Sequence, residues 1–369
     1  MATGGNTGAG ALAGIAFMGC DMMPTASLQP VSAQPAAAGA AAAAKPGARR
    51  REVVVDGKRV KTVDVHAHCG VPEAIALMGL QVTPGTLLMT DPTERLRKMD
   101  EQGIDVEALS INPYWYGTPR DLAAELIKIQ NAKLAEIHGS LPERFVCFAT
   151  VALQHPELAA EQLAFAVKTY GFRGVSIGGS VEGTDLSDPK FNPFWAKAEE
   201  LGVLVFMHPQ GTKELEPSGR LKGSGLLTNT IGNPLETTIA LSHLIFDGTL
   251  DRYPGLKICA AHGGGYLPSY CARSDAVCRT FPETVGKLPK KKPTEYLKQL
   301  YFDTIVFTSE ALRHLIAETG SSQILMGTDY PFPWTSTSVD HILDTPGLSD
   351  AERVAILGGT AARLLGIKD

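Results

Sequence analysis

Five residues define the chemistry open to this chain of 369 residues: His66 and His68 as an HxH pair, His208 before a proline, His262 before three glycines, and Asp329 before Tyr-Pro. Imidazole nitrogens and carboxylate oxygens are good donors to a divalent ion such as Zn2+ or Mn2+. Three or four of them with one open position make a catalytic site. An imidazole beside such an ion can also take or give a proton near neutral pH. One buried histidine needs only a hydrogen-bond partner. Five such residues at one place need a better reason, so the elements that carry them matter.

From Lys61 onward, short apolar runs alternate with helical patterns. The runs at 63–68, 106–112, 145–151, 174–178, 203–209, 257–263, 300–306 and 324–330 predict parallel strands covered on both faces. Amphipathic stretches at 93–102, 120–139, 157–170 and 310–318 predict helices between them. Asn233, Pro234 and Glu236 read as the N-cap, first-turn proline and capping acid of another helix. Eight strands, each followed by a helix, spell a (β/α)8 TIM barrel, an α/β fold in one domain. A doubly wound open sheet would need a Gly-rich phosphate loop after the first strand, and none is present. Barrel enzymes build their sites at the C-terminal ends of the strands. His66 and His68 end strand 1, two apart and therefore on one face. His208 ends strand 5, His262 strand 6 and Asp329 strand 8. All five converge on one mouth.

Composition narrows the partners. A formal net charge of -5 argues against nucleic acid, which needs a basic face. From residue 51 onward no apolar run is long enough to span a membrane. The six cysteines form no CxxC pair. Residues 1–50 differ from the rest: a small apolar stretch that resembles the core of a secretory signal, then an Ala/Pro/Gly linker. They read either as an export signal, which would place the protein in the bacterial periplasm, or as a disordered extension of a cytoplasmic protein. Residues 51–369 form the barrel domain.

Beyond the five residues, DVHAH (64–68), RLRKMDEQGID (95–105), FMHP (206–209), GNPLETTIA (232–240), KICAAHGGG (257–265) and MGTDYPFP (326–333) run in an order that resembles the amidohydrolase superfamily. Within it, the chain is similar to the branch of α-amino-β-carboxymuconate-ε-semialdehyde decarboxylase. The resemblance covers nearly everything from residue 61, and HGGG and GTDYPFP are its branch-specific parts. It implies His66, His68, His208 and Asp329 as ligands of one divalent ion, Zn2+ or alternatively Mn2+. It implies His262 as the residue that activates bound water, with Asp329 sharing the proton handling. Binuclear members of the superfamily carry a bridging lysine on strand 4, and Gly174-Val175-Ser176-Ile177-Gly178 has none.

The same resemblance implies that Arg273, eleven residues after His262, reaches the neighbouring subunit's site to bind a substrate carboxylate, which requires a homodimer or higher homo-oligomer. A solvated helix arginine is the plainer alternative. The chain departs from the branch between Cys69 and Thr93, where no Lys or Arg stands in the place of a second substrate-binding arginine. Tyr114 and Trp115 either line the mouth beside a flat, apolar substrate or simply pack their loop. The three glycines after His262 are expected to let backbone pass close to the ligand or ion. Asp303, at the end of strand 7, either orients a ligand or packs. His138, His155, His243, His314 and His341 are expected away from the mouth. Two activities follow: non-oxidative decarboxylation of an aromatic or conjugated carboxylic acid, or hydrolysis of an ester, lactone or amide by the same activated water.

Overall fold

The computed structural model describes residues 50–80, 91–212, 215, 217–286 and 288–368, with the backbone of 14–18, 21–24 and 81–82. The signal or linker expected over residues 1–50 lies almost wholly outside the described residues. What is described there is a pair of antiparallel strands, Gly14–Met18 and Asp21–Pro24, the first running parallel to Gln81–Val82.

Eight parallel strands form the central sheet: β1 (Val63–His68), β2 (Val106–Ser110), β3 (Phe145–Ala149), β4 (Gly174–Ile177), β5 (Leu204–Met207), β6 (Lys257–Ala260), β7 (Tyr301–Asp303) and β8 (Ile324–Leu325). They lie side by side in chain order. The sheet closes between its first and last strands: Ala67 bridges Tyr330, Val65 N–H donates to the Met326 carbonyl at 2.9 Å, and Asp329 N–H donates to the His66 carbonyl at 2.8 Å. Helices cover the outside: α1 (Thr93–Gln102), α2 (Arg120–Ser140), α3 (Pro156–Tyr170), α4 (Asn192–Leu201), α5 (Asn233–Phe246), α6 (Leu267–Thr280) and α7 (Ser309–Thr319). The expected (β/α)8 barrel is therefore the observed fold.

Two apolar cores hold it together. The outer one fills the space between sheet and helices. The inner one plugs the barrel with Val63, Val65, Phe148, Leu204 and Phe206, and Leu364 and Leu365 belong to the same cluster. The rings of Phe148 and Phe206 stack at 5.7 Å, and Phe206 also meets His66 edge-on at 4.9 Å, so this plug is the floor under the chemistry. Gly174 makes room for it, because a Cβ there would stand 2.5 Å from the Phe148 ring.

Several strands end sooner than their apolar runs suggest. β8 is regular only over Ile324–Leu325, and Asp329 beyond it has φ 64°. β6 stops at Ala260, and His262 opens a short 3-10 turn with φ 55°. β1 carries an irregularity between Asp64 and Ala67. A regular ladder would hold these side chains at fixed alternating directions; breaking it re-aims them, as bulges beside active sites do. Another expectation fails at α5. Asn233 is already helical, and Gly232 precedes it at the end of a wide π turn, so Asn233 is no N-cap. Glu236 closes no capping box either. Its carboxylate accepts from Gln210 N–H at 2.5 Å and from the Ser180 hydroxyl at 3.1 Å, tying the segment after His208 to the loop after β4.

One buried ion pair braces the strand end that carries the HxH pair. Arg95 of α1 donates through Nε to Glu107 of β2 at 2.5 Å and through Nη1 to the His68 carbonyl at 2.7 Å, and it lies over the Tyr330 ring at 4.7 Å. Both partners are 1% exposed. Removing one partner leaves a buried charge alone, whereas replacing both with apolar groups can be neutral. Arg95→Met should therefore lower unfolding stability by about 3–5 kcal/mol in urea titrations, and adding Glu107→Met should restore most of it.

Candidate metal centre

The five residues meet at the C-terminal mouth. One donor atom from each of His66, His208, His262 and Asp329 lies within 4.8 Å of the others. His68 joins them: its Nε2 is 2.9 Å from His66 Nε2 and 2.9 Å from Asp329 Oδ1. His66 Nε2 stands 3.1 Å from the same oxygen, and His262 Nε2 is 3.7 Å from Asp329 Oδ2. The side chains of His66, His68 and Asp329 are at most 2% exposed, while that of His262 is 14% exposed. His262 is thus the member that faces outward.

Hydrogen bonds fix how the rings present their lone pairs. His66 Nδ1 is 2.7 Å from Asp303 Oδ2, and a carboxylate can only accept, so Nδ1 carries the proton. His208 Nδ1 is 2.8 Å from the Pro209 carbonyl, with the same consequence. His68 Nδ1 is 3.2 Å from the Ser110 hydroxyl, whose own proton goes to the Ala67 carbonyl. In the neutral form each ring then offers Nε2 as a lone pair. His208 Nε2 is buried and has no hydrogen-bond partner among the described residues. Lone pairs facing one another at hydrogen-bond distance repel unless a cation lies among them, and ligating histidines are held through the other nitrogen in this way. The donor set fits a divalent ion.

Without an ion, a proton on His66 supplies that positive charge. Burial works against charge on His66, but the Asp329 and Asp303 carboxylates outweigh it and raise its pKa to about 10. Burial takes His68 down to about 4 and His208 well below its ordinary value, aided by the neighbouring rings. Burial alone would favour a protonated Asp329, yet the surrounding histidines hold it well below the usual carboxylate range. The site thus holds two buried carboxylates, Asp329 and Asp303, in their charged form on either side of His66, while His68 and His208 stay neutral.

The glycines after His262 serve packing, and Gly263 and Gly265 also lie in the lining of the cavity that holds His262 and Asp329. A Cβ on Gly265 would stand 2.1 Å from the Pro234 carbonyl of α5, and one on Gly264 2.5 Å from the Phe302 ring. His262 and Asp329 themselves adopt left-handed backbone at non-glycine residues, costing on the order of 1–3 kcal/mol each.

A cavity of about 490 Å3 opens above the cluster. His262 and Asp329 lie at its base, with Tyr266, Val306, Phe307 and Trp334 among its walls, and among the described residues no lysine or arginine lines it. Trp115 is not a wall. It is fully buried in the outer core and its indole donates to the Val151 carbonyl at 2.9 Å, so packing explains it. Tyr114 is half-buried, bonded through its hydroxyl to Gln130 and absent from the cavity lining. Arg273 is exposed on α6 and does not line its own chain's cavity. His314, expected away from the mouth, does line it, bonded to Ser269 at 3.0 Å. A larger cavity, about 640 Å3, sits where Lys61, Val106 and Val146 begin the strands, and it holds none of the five residues.

Proton and metal ion compete for the same His66 lone pair. With the His66 pKa at about 10 in the protein without its ion, metal uptake near pH 7 should expel a proton, and affinity should rise with pH toward 10. Titration calorimetry in two buffers of different ionisation enthalpy measures that proton release. Metal analysis should find about one ion per chain, lost in Asp329→Ala and His208→Ala with far-ultraviolet circular dichroism unchanged.

A family model described as Amidohydrolase matches residues 63–367. The chain is 30% identical over 281 residues to the 2-amino-3-carboxymuconate-6-semialdehyde decarboxylase of Dictyostelium discoideum, covering 75% of this chain and 77% of that one. It is 32% identical over 291 residues to the gamma-resorcylate decarboxylase of Rhizobium sp. strain MTP-10005, covering 73% and 85%. Among solved structures it resembles the dihydroxybenzoic acid decarboxylase of Polaromonas sp. JS666, which holds manganese and the inhibitor 2-nitroresorcinol. That match has 28% identity and a TM-score of 0.73, and it covers 84% of this chain and 97% of the other.

Proposed function

The chain belongs to the amidohydrolase family, and from that premise we propose a metal-dependent, non-oxidative decarboxylase of an aromatic or conjugated carboxylic acid. His66, His68, His208 and Asp329 hold one divalent ion, Zn2+ or alternatively Mn2+. The observation that carries the reading is the convergence of three Nδ1-anchored imidazoles and a buried carboxylate under an open cavity. A bound ion would supply Lewis-acid chemistry toward the substrate's oxygens.

The chain's own residues do the rest. Loss of CO2 leaves an electron pair on carbon, which must take up a proton. His262 is the group placed to carry it, because its ring meets both Asp329 and the cavity. Asp329 keeps that ring in place through its charge. Tyr266, Phe307 and Trp334 offer flat apolar surface to an aromatic ring. The lack of basic residues between Cys69 and Thr93, and in the cavity lining among the described residues, favours a substrate with a single carboxylate. The hydrolase reading loses ground because these relatives, named as decarboxylases, match the chain over most of its length.

Arg273 supplies the carboxylate contact from a neighbouring copy in a homodimer or larger homo-oligomer. Supporting this, Tyr270, Val277 and Phe281 leave apolar surface exposed along and just beyond the same helix. Arg273→Ala should raise KM for the acid more than tenfold while leaving metal content unchanged.

Metal-loaded enzyme incubated with hydroxylated aromatic acids should release CO2 in step with loss of the acid, with no oxygen taken from labelled water. His262→Ala should slow that release by about 100- to 10,000-fold. Ester, lactone or amide turnover without CO2 would contradict the proposal.

A further inference from the structure

Asp303 ends β7 with no exposed surface, and the hydrogen bonds of its carboxylate run to residues at the mouth. Oδ2 accepts from His66 Nδ1 at 2.7 Å and from the His262 backbone N–H at 2.9 Å. Oδ1 accepts from Gly263 N–H at 2.9 Å and from Ile305 N–H at 3.1 Å. Four donors saturate one carboxylate. Two of them belong to the turn in which His262 has φ 55° and Gly263 has φ 62°, a conformation that a non-glycine residue at 262 adopts only when its surroundings impose it. The fourth starts the segment that runs on to Val306 and Phe307 in the cavity wall.

We propose that Asp303 is the positioning residue of this centre: one buried carboxylate fixes the His66 ring through Nδ1 and fixes the His262 turn through backbone N–H groups. It touches no reacting atom. It couples two things that function needs together, a metal-binding nitrogen aimed inward and a proton-carrying ring aimed at the cavity. The proposal rests on the ligand set given above only for its His66 half; the His262 half concerns backbone alone.

Asp303→Asn keeps the size but turns one acceptor into a donor. Whichever way the amide sits, its NH2 group faces two N–H groups. Competition with a fluorescent chelator should show metal affinity lower by about 10- to 100-fold. At saturating metal, kcat should stay well below wild type while KM changes little, because the His262 turn has lost half its anchors. Wild-type metal affinity together with wild-type kcat in this variant overturns the proposal.

Two measurements on the wild type guard against a variant that does not fold. In Zn2+-loaded protein, nitrogen-15 spectra should show His66 bound through Nε2 with a slowly exchanging Nδ1–H. In metal-free protein, the amides of His262, Gly263 and Ile305 should exchange slowly with deuterium. A freely exchanging Nδ1–H, or ligation through it, overturns the His66 half; fast amide exchange overturns the His262 half. A wild type that binds no metal sinks the ligand set instead, and amide exchange still decides the role of Asp303.

Discussion

Two imidazoles and one carboxylate stand within hydrogen-bond distance of each other, with the ring of His208 packed against both imidazoles, in a space that water barely reaches. Each ring is anchored through Nδ1, so each turns its other nitrogen inward. Such a cluster would repel itself without positive charge at its centre, and a divalent ion supplies that charge with the geometry the rings already have. Much else in the molecule follows from holding this cluster still. The aromatic plug supports it from below, Arg95 braces the end of β1, and Glu236 ties down the segment after His208.

The barrel was legible because parallel strands buried on both faces leave long apolar runs, and the runs recur with helices between them. The five site residues were legible because barrel enzymes place chemistry where strands end. Less legible was how the ends are shaped. Alternation along a strand predicts the faces of His66 and His68, but His262 and Asp329 reach the cluster only by leaving regular strand for left-handed backbone. No residue pattern announces that departure at a non-glycine position. The glycine run was only partly legible for a related reason. Its sequence shows that side chains are excluded, not what excludes them, and the excluding groups are Pro234, Phe302 and Val306.

Polar residues between elements were the least legible of all. Glu236 fits a helix-start pattern, yet its partners, Gln210 and Ser180, come from distant loops that no local rule can see. Trp115 sits in a loop with two tyrosines, a composition equally suited to a substrate wall and to a core anchor, and a single bond to the Val151 carbonyl decides for the core. Asp303 offered only one clue, an acidic residue at a strand end, and its four partners come from three separate segments.

X-ray absorption spectroscopy of the metal-loaded protein tests whether a single divalent ion is held by histidine nitrogens and Asp329. The spectrum should show nitrogen and oxygen neighbours at about 2.0–2.2 Å, with the outer-shell scattering of three imidazole rings and no metal–metal distance. Fewer than two imidazoles, a sulfur neighbour, or a second metal about 3.5–4 Å away would contradict it.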